Sequence, residues 1–215
     1  RRRIKEDVVA RLLPQMPPQL SGVPFVADVS DNRLYAGALS QKQLDAFLGY
    51  FCQTVGFEPI PLTPAVAAET LGKISAEDLP RLNFSPDLPD AAAGGTLGQD
   101  FLTWLWFFQE ECGGTLPQSQ LGTFSLAIDG PLVFVADGPG AQESALRKGT
   151  PTVSAEAKAA LVVGKKLKRA KLTFARGRGE EWAVTVDADE FVFRGLRLPE
   201  GETLPLLYPH TIGFP

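Results

Sequence analysis

The sequence has little of what many enzymes and metal sites depend on: one histidine and two cysteines in 215 residues. Zinc sites built from several imidazoles, haem pairs and facial triads need at least two histidines or a cluster of thiolates, so these classes are excluded. A Ser-His-Asp hydrolase would have to use His210, which follows Pro209 close to the end of the chain and has poor rigid support. The composition therefore argues against serine hydrolases and multi-histidine metalloenzymes.

Long hydrophobic runs are also lacking. The longest, such as Phe101–Phe108, are far shorter than the roughly 20 residues of a transmembrane helix. No apolar segment follows the charged first residues, as it would in a secretory signal. Cys52 and Cys112 cannot form a disulfide framework, which predicts a reducing, cytoplasmic compartment. With 44% hydrophobic and 21% charged residues, the chain has ordinary globular composition and enough length for a sizeable core.

Charge is spread unevenly along the chain. The net charge is −4, but the segment Arg147–Arg178 contains ten basic residues against the single acid Glu156, so it carries +9 and the remainder −13. Such asymmetry indicates a polyanion-binding face on an otherwise acidic protein. The pattern is equally that of a solvated helix and hairpin whose lysines only maintain solubility, and charge alone leaves both interpretations open.

The pattern of the first 63 residues predicts an N-terminal α/β part. The chain starts without methionine, inside a helical pattern that Pro14 ends, so we expect that an N-terminal portion is missing. A hairpin follows over 25–29 and 33–36, turning at Asp31-Asn32. Ser40 and Gln43 form a capping box for a helix that Gly56 ends, and Phe57–Leu62 is predicted to be a short strand.

Residues 64–95 are acidic and rich in proline and alanine, and predict a short helix followed by a loop or excursion. Residues 96–215 form the third part. There Thr96 and Gln99 are a second capping box, which opens an aromatic helix closed by Gly113-Gly114. Because this helix is apolar nearly all round, we expect burial on several sides, with a base-stacking platform as the alternative.

The rest of the third part predicts antiparallel strands and one helix. Leu121–Ile128 and Leu132–Ala136 are expected to form a hairpin that turns at Asp129-Gly130. Ser154 caps a helix that Gly164 ends. Three segments then predict a β-meander: Leu167–Phe174, Trp182–Val186 and Phe191–Leu196. The class predicted is α+β, with packed helices and antiparallel sheets of hairpins and a C-terminal meander.

Catalytic motifs are sparse. Gly164-Lys165 lacks the other residues of a phosphate loop, and no Gly-x-Gly-x-x-Gly follows a strand. Glu156 and Lys158 resemble half of a nuclease motif, but they lie in the first turn of a helix rather than on a strand. Asp187 and Asp189 are typical of a turn between strands. We therefore predict no catalytic residues, no metal ligands and no cofactor.

The order of these features resembles the bacterial recombination-associated protein RdgC family, and the similarity covers most of the chain. It rests on residues and short motifs in this order: Lys5-Glu6-Asp7-Val8, Leu12-Leu13-Pro14, Asp28, Glu58-Pro59-Ile60-Pro61-Leu62, Leu102-Thr103-Trp104, Glu156, Gly164-Lys165, Arg169, Leu172, Asp187, Asp189, Phe191-x-Phe193-x-x-Leu196. The chain departs from the family at Gln15-Met16-Pro17, where a basic residue and an aromatic are usual, and in the tail after Pro199.

The resemblance implies an α+β homodimer that closes into a ring, binds double-stranded DNA without marked sequence preference and restrains RecA-promoted strand exchange. Such a protein would be cytoplasmic, associated with the nucleoid and non-enzymatic, although "exonuclease" has been attached to the family as a label. The resemblance makes the basic segment the candidate ring lining. The candidate DNA-binding residues are Lys158, Lys165, Lys166, Lys168, Arg169, Lys171, Arg176 and Arg178, joined by Lys5.

Two other functions compete with DNA binding. A protein–protein adaptor could dock a partner through the aromatic helix, which requires Trp104 and Trp106 to be accessible to solvent. A metal-dependent nuclease could use Glu156, Lys158 and Asp187. Quenching of tryptophan fluorescence tests the first, and DNA cleavage with Mg²⁺ or Mn²⁺ tests the second.

Overall fold

The computed structural model describes residues 22–89, 94–137, 142–177 and 179–199, together with Val8, Arg11 and Leu12. The chain divides into two units, Arg1–Ile60 and Pro61–Pro215. Within them lie helices and two antiparallel sheets, of two and five strands, which confirms the α+β class. None of the helices that the structure describes is long and apolar enough to span a membrane.

The first unit contains the predicted hairpin and helix. Strand β1 (Phe25–Asp28) pairs with β2 (Arg33–Ala36), and the Asp28 carboxylate accepts hydrogen bonds from two N–H groups of the turn. Helix α1 (Gln41–Val55) begins after Ser40, whose hydroxyl accepts from the Gln43 N–H, and ends at Gly56. Four phenylalanine rings, Phe25, Phe47, Phe51 and Phe57, contact one another in this unit with centroids 5.5–5.7 Å apart. Phe47 is buried, whereas Phe25 and Phe57 are exposed.

The prediction of a strand at Phe57–Leu62 is wrong. The segment has no regular secondary structure and no partner strand among the described residues. Pro59 and Pro61 lack the N–H groups that a strand contributes to its ladder, so alternating hydrophobic residues do not suffice here. The helix predicted beyond it is present as α2 (Pro64–Thr70), which Thr63 caps.

The second unit is built on a five-stranded antiparallel sheet in the order β4-β3-β5-β6-β7. The strands are β3 (Ser125–Val135), β4 (Glu143–Leu146), β5 (Lys166–Arg176), β6 (Glu180–Asp187) and β7 (Val192–Arg197). The last three are the predicted meander, whereas β4 was not predicted. Strand β5 lies at the centre of the sheet, hydrogen-bonded to β3 on one side and to β6 on the other.

The prediction of a hairpin that turns at Asp129-Gly130 is also wrong. Strand β3 runs straight through that dipeptide, and its register against β5 shifts between Asp129 and Val133. Asp-Gly is a strong hairpin signal, but it is followed here by Pro131, which supplies no N–H donor. Proline within a sheet is accommodated at a bulge, and the result is one long, irregular strand instead of two short ones.

Helix α3 (Leu97–Cys112) packs against one face of this sheet. Leu102, Leu105 and Trp106 are buried against Leu126, Leu172 and their neighbours. A Cβ at Gly98 would lie 1.8 Å from the carbonyl oxygen of Ala188, so only glycine lets the helix start this close to the end of β6.

Burial of α3 on several sides, predicted from its composition, is therefore only partly correct. One face of the helix is buried, while Phe101, Trp104 and Phe107 are each 44% exposed. The remaining helix, α4 (Ala155–Val162), begins after its cap Ser154 as predicted and leads through Gly164 into β5.

Candidate nucleic-acid interface

The candidate DNA-binding residues concentrate on the central strand. Five of the nine lie on β5: Lys166, Lys168, Arg169, Lys171 and Arg176. Lys158 is exposed on α4, and Lys165 precedes β5 with its Nζ 2.6 Å from Ser144 Oγ. Lys5 and Arg178 lie outside the described residues. The structure thus brings the basic segment together mainly as one strand.

Period-2 alternation along β5 divides these cations between two faces of the sheet. Leu172 and Phe174 face α3. Arg176 lies on that side by alternation. The register of β5 is irregular between Leu167 and Arg169, and beyond it Lys166 and Lys168 are placed by their contacts, with Asp100 of α3 and with Asp189 just beyond β6. Arg169 and Lys171 lie on the opposite face. The candidate residues therefore do not form a single continuous face.

Cross-strand register extends the second face onto other strands. Lys171 lies opposite Thr185, which lies opposite Arg194, and Thr173 lies opposite Ala183, which lies opposite Arg197. Directly opposed residues share a face of the sheet. We call this surface the outer face. Its charged residues on these strands are Arg169, Lys171, Arg194, Arg197, Asp129, Glu181 and Asp187.

Acidic partners neutralise both outer-face cations of β5. Arg169 donates to Asp187 Oδ2 through Nη2 at 2.5 Å and Nε at 3.2 Å, and the Asp187 side chain is buried. Lys171 Nζ lies 3.9 Å from Asp129 Oδ2, a more distant pair whose carboxylate is half exposed and also accepts from Thr173. Lys171 is thus the more loosely held of the two.

The cations on the α3 side are paired as well. Lys168 Nζ lies 3.2 Å from Asp189 Oδ2, while Asp189 Oδ1 accepts from Thr96 and Gln99 at the start of α3. Burial raises the pKa of Asp189, but hydrogen bonds from Gln99, Thr96 and Lys168 outweigh that effect and hold the pKa below its usual range. This carboxylate therefore stays ionised and ties the strand to the helix.

Arg176 forms a separate cluster beside the turn to β6. Its guanidinium donates to Glu180 at 2.6 and 3.2 Å and lies over the rings of Phe124 and Trp182. The hydrogen bond from Arg176 holds the pKa of Glu180 below its usual range. Stacking and a bidentate pair together fix this side chain in place.

Lys166 is the candidate least available to a ligand. Its Nζ lies 2.5 Å from Asp100 Oδ1, and the two side chains are only 7% and 5% exposed. By contrast Lys168, Arg169, Lys171 and Arg176 each keep about a third of the side chain exposed. Four cations of the strand can therefore still be reached from solvent, although each contacts a carboxylate.

Sequence reasoning missed two sets of residues here. The first is the acids that pair with the basic strand, all of which lie outside the basic segment. Only Glu180, four residues after Arg176 across a glycine-rich turn, lay close enough in sequence to be found. The second is Arg194 and Arg197, which fall beyond the segment. Neither they nor Lys158 forms an ion pair with a described residue.

The structure also shows where the residues named for the adaptor and nuclease alternatives lie. Trp104 is 44% exposed but Trp106 only 3%, so one of the two indoles meets the requirement of an adaptor. Asp187, named for a nuclease, is held by Arg169. In the part of the chain that the structure describes, no three His, Cys, Asp or Glu side chains are grouped to hold a metal ion.

Comparisons with protein-family models, with curated proteins and with solved structures found no match to this chain.

Proposed function

We propose that this chain binds duplex DNA without sequence preference, through the outer face of its five-stranded sheet, in a non-enzymatic role. The observation that carries the proposal is the placement of four cations from two strands, Arg169, Lys171, Arg194 and Arg197, on that face. Cations on alternate residues of a strand lie roughly 6.7 Å apart, and strands β5 and β7 lie roughly 10 Å apart. Such an array offers several phosphate contacts at once.

How tightly each cation of the outer face is paired with a carboxylate determines whether it can bind a DNA phosphate. Phosphate can replace a carboxylate only if the pair is loose, and Asp187 would be left buried and unpaired if Arg169 were taken from it. Lys171 has a distant, exposed partner, and Arg197 is exposed and unpaired within the described residues. We therefore assign the main phosphate contacts to Lys171 and Arg197, with Arg194 beside them.

Contacts of this kind give affinity without reading bases. Phosphate contacts fix position on a duplex, whereas sequence is read by side chains that reach base edges in a groove. A protein that coats a duplex in this way competes with a recombinase for it. Following the resemblance to the RdgC family, we propose a cytoplasmic, nucleoid-associated homodimer that restrains RecA-promoted strand exchange by occupying duplex DNA.

The test is fluorescence anisotropy of a labelled duplex at several salt concentrations between about 50 and 200 mM. Lys171→Gln/Arg197→Gln should weaken binding equally for unrelated sequences. It should also lower the slope of log affinity against log salt by about 2, since each phosphate contact contributes about 1. Lys42→Gln/Lys73→Gln is the matched control, because it removes the same charge from two exposed lysines that belong to none of the strands of the sheet.

Equal affinities and slopes for the two double variants would contradict the outer face as the binding surface. The same proteins added to a RecA-promoted strand-exchange reaction extend the test to recombination. The unaltered chain and the control should reduce the yield of exchanged duplex, whereas Lys171→Gln/Arg197→Gln should reduce it much less.

A further inference from the structure

A groove of about 490 Å³ lies in the second unit between α2, residues 79–82 and α3. Its walls are almost wholly apolar. The main wall residues are Ala67, Ala68, Leu79, Leu82, Phe101 and Trp104. This volume is within the range of small-molecule sites, about 300–1,000 Å³, which are typically lined by apolar and aromatic side chains with a few polar groups. The groove is separate from the outer face and its ligand does not depend on DNA binding.

Hydrogen bonds hold the groove in shape. The Leu82 N–H donates to Asp100 Oδ1 at 3.4 Å. Arg81 Nη1 donates to Gly95 O at 2.9 Å and to Asp100 Oδ2 at 3.2 Å. Because Asp100 belongs to α3, these bonds fix residues 81–82 against the helix. The opposite wall is the capped helix α2. The groove is therefore formed before any ligand arrives.

Among the described residues, the charged groups that line the groove are Arg81 and Asp100, and their surroundings are net positive. The single negative charge of Asp100 faces two positive charges, those of the buried Lys166 and of Arg81. The Arg81 side chain is 53% exposed, and its Nε and Nη2 atoms donate to no described residue. A guanidinium edge with free donors fits a carboxylate, which it binds through two parallel hydrogen bonds.

We propose that this groove binds a small amphipathic monoanion, with its carboxylate on Arg81 and its aliphatic or aromatic body against Trp104 and α2. The exposed indole of Trp104 and ring of Phe101 supply a flat apolar surface for that body. The positive balance around Asp100 selects an anion over a neutral molecule of the same shape.

The test uses decanoate and its uncharged counterpart decanol as probes, with calorimetry and tryptophan fluorescence as readouts. Decanoate should saturate one site per chain and bind at least about tenfold more tightly than decanol, a difference of about 1.4 kcal/mol. Arg81→Gln should lose this preference for decanoate while binding decanol as before. Retained decanol binding would also show that the groove of the variant is intact.

Ala68→Phe should abolish binding of both probes, because the new ring fills the groove. Ala159→Phe is the matched control, since Ala159 is exposed on α4 and away from the groove, and it should bind both as before. Absence of saturable binding, equal affinity for the two probes, or equal loss of both in Arg81→Gln would overturn the proposal. Association with phosphatidylcholine vesicles that Ala68→Phe abolishes would assign the groove to a membrane surface instead.

Discussion

Lys166 Nζ lies 2.5 Å from Asp100 Oδ1, and the pair is buried between the central strand and the helix that covers it. Lys166 belongs to the most basic stretch of the sequence, yet its positive charge is neutralised by the buried carboxylate of Asp100. The pair also bears on the groove, since Arg81 contacts the other oxygen of Asp100.

Removing Lys166 should therefore affect stability rather than binding. Lys166→Met leaves the buried Asp100 with Arg81 as its one cationic partner among the described residues, and breaking a buried pair costs about 3–5 kcal/mol. Urea denaturation should show that loss. Lys158→Met, at an exposed position on α4, should change the free energy of unfolding by less than about 0.5 kcal/mol. Similar unfolding midpoints for the two variants would contradict the structural role of the pair.

Asp189 should make stability depend on pH in the acid range. Its pKa is lowered in the folded chain, so its ion pair and hydrogen bonds contribute fully above the unfolded pKa of about 3.9. That contribution is lost as the pH falls through the lower, folded pKa. Urea unfolding between about pH 5 and pH 2 should show a smaller decline in Asp189→Asn than in the unaltered chain. An identical decline would mean that Asp189 is not the responsible group.

Asp129 should act as a competitor of DNA phosphate. Asp129→Asn frees Lys171 from its exposed partner, and an exposed pair is worth about 0.2–1 kcal/mol, so duplex affinity should rise roughly 1.5- to 5-fold at low salt. Screening should shrink the gain as salt increases. Asp78→Asn removes one exposed negative charge elsewhere and serves as the control. A gain of the same size in both variants would point to net charge alone.

Local signals predicted most of the helices and the meander. Ser40, Thr96 and Ser154 each cap the helix that follows, because an N-cap hydroxyl satisfies an N–H three residues away and needs no distant partner. Glycines in the left-handed region end α1 and α3 in the same local way, as predicted.

The sequence predictions failed where residues distant in the sequence determine the local structure. Asp129-Gly130 continues as strand because β5 pairs with residues on both sides of it. The cations of the basic segment could not be matched to Asp100, Asp129 and Asp189 until the sheet order and the position of α3 were known. Charge summed along the sequence therefore overstated the positive charge that the folded chain offers to a ligand.

The central position of β5 also determines which peptide bonds a protease can reach. Trypsin cleaves after lysine and arginine, and five such residues lie within this strand. A protease must draw its substrate into an extended, unpaired form, but both edges of β5 are hydrogen-bonded to neighbouring strands. These five cleavage sites are thus among the last to be cut, and their digestion reports the opening of the whole sheet.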